Sequence, residues 1–234
     1  MTPVPSANAR IRGPRASSLG GTAAELLAGA VALGVAAVAG LAFVHRPWPN
    51  RLDVLGYRVF PADSGAPWAH DAVSLGSVTA LLIGVAAVFL VAVARDWVRA
   101  LACAAAPVIA VVIVQDLAKP LVGRHLGLNG PSSFPSGTVA AVAALATAAA
   151  LVVPALLRPV FIVAGAAAVT ATCAAVVVLR WHYPTDALGG VAVGVGAVLA
   201  LDALAHLPWA LANGFRSTGS GPPLVRPGQR PRMA

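Results

Sequence analysis

The stretch AVSLGSVTALLIGVAAVFLVAVARDWVRALACAAAPVIAVVIVQDLA, residues 72–118, decides the fold class. It is two apolar runs, Ala72–Ala94 and Val98–Ala118, parted only by RDWV. Each run has the roughly 20 residues a helix needs to cross the hydrocarbon core of a bilayer. So short a polar break between them predicts a tight helical hairpin. Working outward, four more runs can carry spans: Ala24–Val44, Thr138–Val153, Pro159–Val178 and Asp186–His206. No charge interrupts the middle of any run. The run at Thr138–Val153 is short unless Phe134–Gly137 or Pro154–Leu157 extend it. The expected fold is all-α, a polytopic membrane protein built as a six-transmembrane-helix bundle.

Composition agrees with this reading. Of 234 residues, 59% are apolar and 10% charged, where a soluble domain carries about a quarter charged residues. The mean hydropathy is +0.83. A net charge of +8 raises the question of nucleic acid, but the basic residues lie outside the apolar runs and no basic–aromatic interleaving accompanies them. Anionic lipid headgroups are their expected partners. Cys103 and Cys173 sit inside apolar runs and read as free buried thiols, with no disulfide framework and no metal spacing.

The chain divides into a basic, disordered N-terminal tail (residues 1–20), a transmembrane domain (21–212) and a basic, disordered C-terminal tail (213–234). The first apolar run is too long for a signal-peptide core and ends in HRPWPN without a cleavage site, so it reads as a retained helix. Gly and Ala are dense in the last three spans, which favours close helix packing in lipid. An even number of spans places both termini on one side. That side holds ten of the sixteen basic residues, which predicts a plasma-membrane protein with cytoplasmic termini. Residues 45–71 then form an outer loop with Trp48, Tyr57, Phe60 and Trp68, either a short helix on the bilayer surface or a cover for a site. Asp202 and His206 read as interfacial residues of the opposite side.

Two outer segments are unusually polar: DLAKPLVGRHLGLNGPSSFPSG (Asp116–Gly137) and LRWHYPTD (Leu179–Asp186). In the first, Ser136, Gly137 and Thr138 open an apolar helix. Such a helix start offers free backbone N–H groups and the positive end of the dipole to a phosphate. Lys119 and Arg124 would add charge and directional hydrogen bonds, and Asp116 lies one turn before Lys119, placed to pair with it or to cap its span. In the second, a helix starting at Pro184 would hold Asp186 in its first turn. There it would accept a hydrogen bond from one nitrogen of His182 and leave the other as a nucleophile. Arg180 completes the basic set. Taken singly, each is an ordinary anchor or cap; together on one face they describe a phosphate site.

These segments resemble the type 2 phosphatidic acid phosphatase (PAP2) superfamily of membrane phosphatases. Its motifs are Lys, six residues, Arg-Pro; then Pro-Ser-Gly-His; then Ser-Arg, five residues, His, three residues, Asp. Lys119, Pro135-Ser136-Gly137, His182 and Asp186 match. The family Arg-Pro falls on Leu126–Gly127, with Arg124 two places early. Ser-Arg falls on Ala175–Val176, and Arg180, one turn further on if the helix continues, would replace the missing guanidinium. The family histidine of the second motif is Thr138.

The resemblance implies that His182 attacks phosphorus and becomes a phosphohistidine, that Asp186 orients it, and that Lys119, Arg124, Arg180, Ser136 and Gly137 hold the phosphoryl oxygens. No cofactor and no metal are expected. The family histidine protonates the departing oxygen, a role worth about 10²–10⁴ in rate that Thr138 cannot fill near neutral pH. The expected substrate is therefore a polyprenyl or other lipid diphosphate, whose departing phosphate carries its own charge; His125 is an accessory candidate for the acid. The expected activity is an extracytoplasmic lipid phosphatase or diphosphatase, a phosphoric monoester or diphosphate hydrolase. Phosphotransfer to another acceptor and lipid-phosphate binding without turnover are the alternatives. A secondary transporter would want polar groups near the membrane midplane, which these spans lack.

Overall fold

The computed structural model describes residues 18–128 and 130–218. They form α1 (Leu19–Phe43), α2 (Arg51–Val59), α3 (Pro67–Ser74), α4 (Val78–Val93), α5 (Trp97–Val112), a π-helical segment (Ile113–Ala118), α6 (Lys119–Val122), α7 (Gly137–Val152), α8 (Arg158–Val178) and α9 (Pro184–Thr218). The N-terminal tail meets α1 at Ser18, whose Oγ accepts the Gly21 N–H, and α9 carries the chain on to Thr218. The rest of both tails lies outside the described residues.

Among the described residues four helices are long and apolar enough to cross a membrane: α1, α5 through α6, α8 and α9. A bent pair, α3 with α4, makes a fifth. The run at residues 72–94 is thus not one straight helix. Ser77 accepts the Ala80 N–H with its hydroxyl at 3.2 Å, restarting the helix at an angle of 46° to α3. The sixth run, α7, has only 16 residues, about 24 Å at 1.5 Å per residue. Ser136 caps its start, and extended backbone at Val153 before Pro154 stops it. Nine of its residues are buried, because α4, α5, α8 and α9 surround it.

The packing depends on small residues. A Cβ at Gly194 would lie 2.5 Å from the Ala140 carbonyl oxygen and 2.9 Å from the Ala143 Cβ, so α7 and α9 cross there backbone against backbone. Gly194→Leu is expected to cost about 1–3 kcal/mol or more, measured as a lowered midpoint of thermal unfolding in detergent. An unchanged midpoint would contradict the close crossing.

The bundle has two polar ends. At one, Asp202 and His206 are buried against partners that the sequence around them does not announce. Asp202 accepts Arg99 Nε at 3.1 Å and Nη2 at 2.7 Å. His206 Nδ1 lies 2.8 Å from the Asp202 carbonyl and Nε2 lies 3.2 Å from the Asp96 carboxylate. The partners are about a hundred residues apart in the chain, which is why the apolar pattern around α9 does not announce them. Cys103 is buried beside Asp202, whereas Cys173 is only half-buried. The other end gathers α2, the segment after α6, and the turn between α8 and α9.

Candidate functional site

The 45–71 loop folds over this end instead of trailing on the surface. Asn50 and Asp53 start α2 with a reciprocal capping box, and Gly56 lies directly against Pro184. The Tyr57 hydroxyl donates to the His182 carbonyl at 3.3 Å. Burial, with Tyr183 nearby, pushes the Tyr57 phenol up to about 12, so near neutral pH it keeps the proton it donates.

The two polar segments touch each other. After α6 the chain reverses at Gly123, whose φ of +58° suits a residue without Cβ. Ser136 caps α7, accepting the Val139 N–H at 3.5 Å, and its own N–H donates to the Asp186 carbonyl at 2.9 Å. Pro184 begins α9, and Asp186 lies in its first turn.

Arg124 is fully buried, between the rings of Phe43 and Tyr183 at 4.1 and 4.4 Å. Its Nη1 donates to Asp186 Oδ1 at 2.6 Å and to Thr185 Oγ1 at 2.8 Å, while Nη2 donates to Asp53 Oδ2 at 2.6 Å. A guanidinium expected to face phosphate is instead committed to two carboxylates. Lys119 and Arg180 have no carboxylate within salt-bridge distance among the described residues. Lys119 is half-buried and within electrostatic reach of Asp186.

Arg180 departs from the expected continued helix. α8 ends at Val178, and the Trp181 and His182 N–H groups both fold back onto the Val176 carbonyl. Arg180 takes φ +58°, and its guanidinium lies 3.8 Å over the Tyr57 ring. His182 is largely buried. Its Nδ1 faces Asp186 Oδ2 at 3.8 Å, longer than a hydrogen bond, and has no other partner; Asp186 Oδ2 accepts the Tyr183 N–H at 2.9 Å.

Thr138 is half-buried beneath the α3–α4 bend, where a Cβ on Gly76 would come 2.5 Å from Thr138 Cγ2. An imidazole at position 138 would therefore meet the α3–α4 bend. Gly137 faces the Gln115 amide on the π-helical segment. His125 is exposed, with Nδ1 at 2.9 Å from the Gly130 carbonyl, and Asp116 is exposed on the π-helical segment. Neither shares a hydrogen bond or ion pair with His182 among the described residues.

Asp53, Tyr57, Tyr183, Thr185 and Gln115 are the residues of this end that the motif spacing does not reveal. Only Asp53 carries a local signal, the Asn-x-x-Asp start of α2. Among the described residues no set of three His, Cys, Asp or Glu side chains converges as metal ligands.

Residues 100–207 match the sequence model of the PAP2 superfamily. That stretch covers less than half of the chain, runs from α5 into α9 and carries both polar segments, within an all-α protein of several membrane-length apolar helices. Buried ionisable residues, among them Arg124, His182, Asp186, Asp202 and His206, lie within the same stretch. Comparison with curated proteins and with solved structures gives no match.

Proposed function

We propose that this protein is a membrane lipid phosphatase or diphosphatase in which His182 takes the phosphoryl group. The observation that carries the reading is the joining of the two polar segments: Ser136 and Arg124 from the first both bond to Asp186 of the second. This sets the start of α7, Lys119, Arg180 and His182 around one end of the bundle.

In this reading Nδ1 of His182 faces Asp186, which leaves Nε2 to attack phosphorus in line. The phosphorus–oxygen bond to the leaving group breaks, and the leaving oxygen keeps the electron pair. Water then hydrolyses the phosphohistidine. The 3.8 Å gap to Asp186 closes as the imidazole gains positive charge, since catalytic hydrogen bonds tighten once substrate is bound. With Arg124 committed to Asp53 and Asp186, the phosphoryl oxygens fall to Lys119, Arg180 and the N–H groups of Gly137 and Thr138. A cavity of about 320 Å³ between α1, the π-helical segment and α9 reaches Phe134 and Pro135, next to Ser136, and would take the lipid tail.

The reading includes six crossings, with α7 as a short central one shielded from lipid. The ten-to-six distribution of basic residues supports a site on the outer face with cytoplasmic termini.

With Thr138 in place of an acid, the departing group must carry its own charge. Purified protein is expected to turn over a polyprenyl diphosphate with kcat/KM at least about 10²-fold above that for the monophosphate. A preference for the monophosphate would sink this assignment. The absent hydrogen bond at His182 Nδ1 favours one second reading, lipid-phosphate binding without turnover. Retained affinity with no phosphate release would support that reading instead.

A further inference from the structure

Asp53 belongs to α2, outside the stretch that matches the PAP2 superfamily, yet its carboxylate is buried at the centre of the site end. Oδ1 accepts the Thr185 N–H at 3.0 Å and the Thr185 hydroxyl at 2.7 Å. Oδ2 accepts the Asn50 N–H at 3.0 Å and Arg124 Nη2 at 2.6 Å. Asp53 therefore grips the first turn of α9 directly and through Arg124, whose other terminal nitrogen holds Asp186.

We infer that Asp53 is a positioning residue: with Arg124 and Thr185 as its intermediaries, it holds the Asp186 carboxylate facing His182. The inference rests on the proposed role of His182 as the nucleophile. Its physical basis is the division of one guanidinium between two carboxylates. While Asp53 takes Nη2, Asp186 receives only Nη1 on Oδ1, and its Oδ2 stays turned toward Tyr183 N–H and His182. Without the Asp53 charge, Arg124 has one anion left to serve. Its geometry then favours the bidentate pairing that guanidinium and carboxylate prefer, which draws Asp186 away from the imidazole and lessens its pull on the imidazole proton. A purely structural Asp53 would stabilise α2 and α9 without altering the reactivity of His182.

Asp53→Asn separates the two roles. Its side-chain oxygen can still accept from Thr185 while the charge is gone. On the full chain in detergent, kcat toward a lipid diphosphate is expected to fall about 10- to 100-fold, the usual range for partners one step removed from a reactive group. KM should stay within about two-fold, since the groups assigned to phosphate are untouched. The amide nitrogen cannot accept from Arg124 or the Asn50 N–H as Oδ2 does, so the thermal midpoint is expected to fall by up to about 10 °C, and rates are compared per folded protein well below it.

A second readout needs no turnover. Carbethoxylation of His182 by diethyl pyrocarbonate, mapped by peptide mass spectrometry, is expected to change in rate by at least about three-fold. His206, at the far end of the bundle, serves as the internal control. Thr185→Val, which removes the hydroxyl between Asp53 and Arg124, should shift both readouts the same way by about two- to ten-fold, and it serves if Asp53→Asn does not fold.

Unchanged kcat and carbethoxylation in the variants would overturn the inference. So would a loss of activity that merely tracks a loss of folded protein while His182 keeps its reactivity. If the wild type shows no turnover but His182 reactivity still follows Asp53, the phosphatase reading fails and the positioning role stands.

Discussion

Replacing His182 with Ala is expected to lower kcat toward a lipid diphosphate by about 10³-fold or more, with KM nearly unchanged. The nucleophile makes its bond only on the way to the transition state. The groups assigned to the ground-state phosphate, Lys119, Arg180 and the α7 start, remain in place. Three of the other four imidazoles are bonded elsewhere, and the fourth, His45, packs against Gly123 with no carboxylate in salt-bridge distance among the described residues. His206 is bonded at the far end of the bundle, His70 Nε2 sits 2.9 Å from the Ser64 carbonyl, and His125 Nδ1 sits at the same distance from the Gly130 carbonyl. Initial rates and substrate affinity on matched preparations check this. A variant that retains a tenth or more of wild-type kcat would remove His182 from the chemistry.

Arg124→Leu is expected to be the most destabilising single change in the chain. Asp53 and Asp186 are both fully buried, and Arg124 is the cation that pairs with both. Stripping one partner from a buried ion pair costs about 3–5 kcal/mol, because the remaining charge has neither solvent nor partner. Here two carboxylates are left. At this chain length the loss corresponds to a fall of about 6–20 °C in the thermal midpoint. Arg124→Lys should recover little of it: one ammonium cannot reach both carboxylates as a planar fork does, nor lie flat between the Phe43 and Tyr183 rings. Thermal unfolding in detergent at neutral pH checks both variants, and a midpoint within a few degrees of wild type for Arg124→Leu would show the triad to be dispensable.

The sequence was most readable where one local rule decided the outcome. Apolar runs marked the helices, Ser136 and Pro184 marked two starts, and Asp186 fell where a first-turn carboxylate belongs. Reading failed where the outcome depended on a distant partner. Counting cations assigned Arg124 to phosphate because nothing near it in the chain announces Asp53, 71 residues upstream. The burial of Asp202 and His206 was not announced because Arg99 and Asp96 lie about a hundred residues away. The bend between α3 and α4 was hidden because residues 72–94 are apolar on both sides of it; Gly76 and Ser77 were its only signals. Arg180 was placed on a continuing helix because spacing cannot foresee a left-handed residue at the end of α8. The cover that α2 provides was one of two roles open to the 45–71 loop, and Asp53 is what ties it down.

The central claim is that a phosphoryl group passes through the imidazole at position 182. Its most direct test is a rapid-quench pulse of the purified protein with a polyprenyl diphosphate radiolabelled in the terminal phosphate, followed by proteolysis under alkaline conditions and mapping of acid-labile label. The account predicts label on the peptide carrying His182 in the wild type and none in His182→Ala. Label on another residue, or wild-type labelling that persists in His182→Ala, would contradict it.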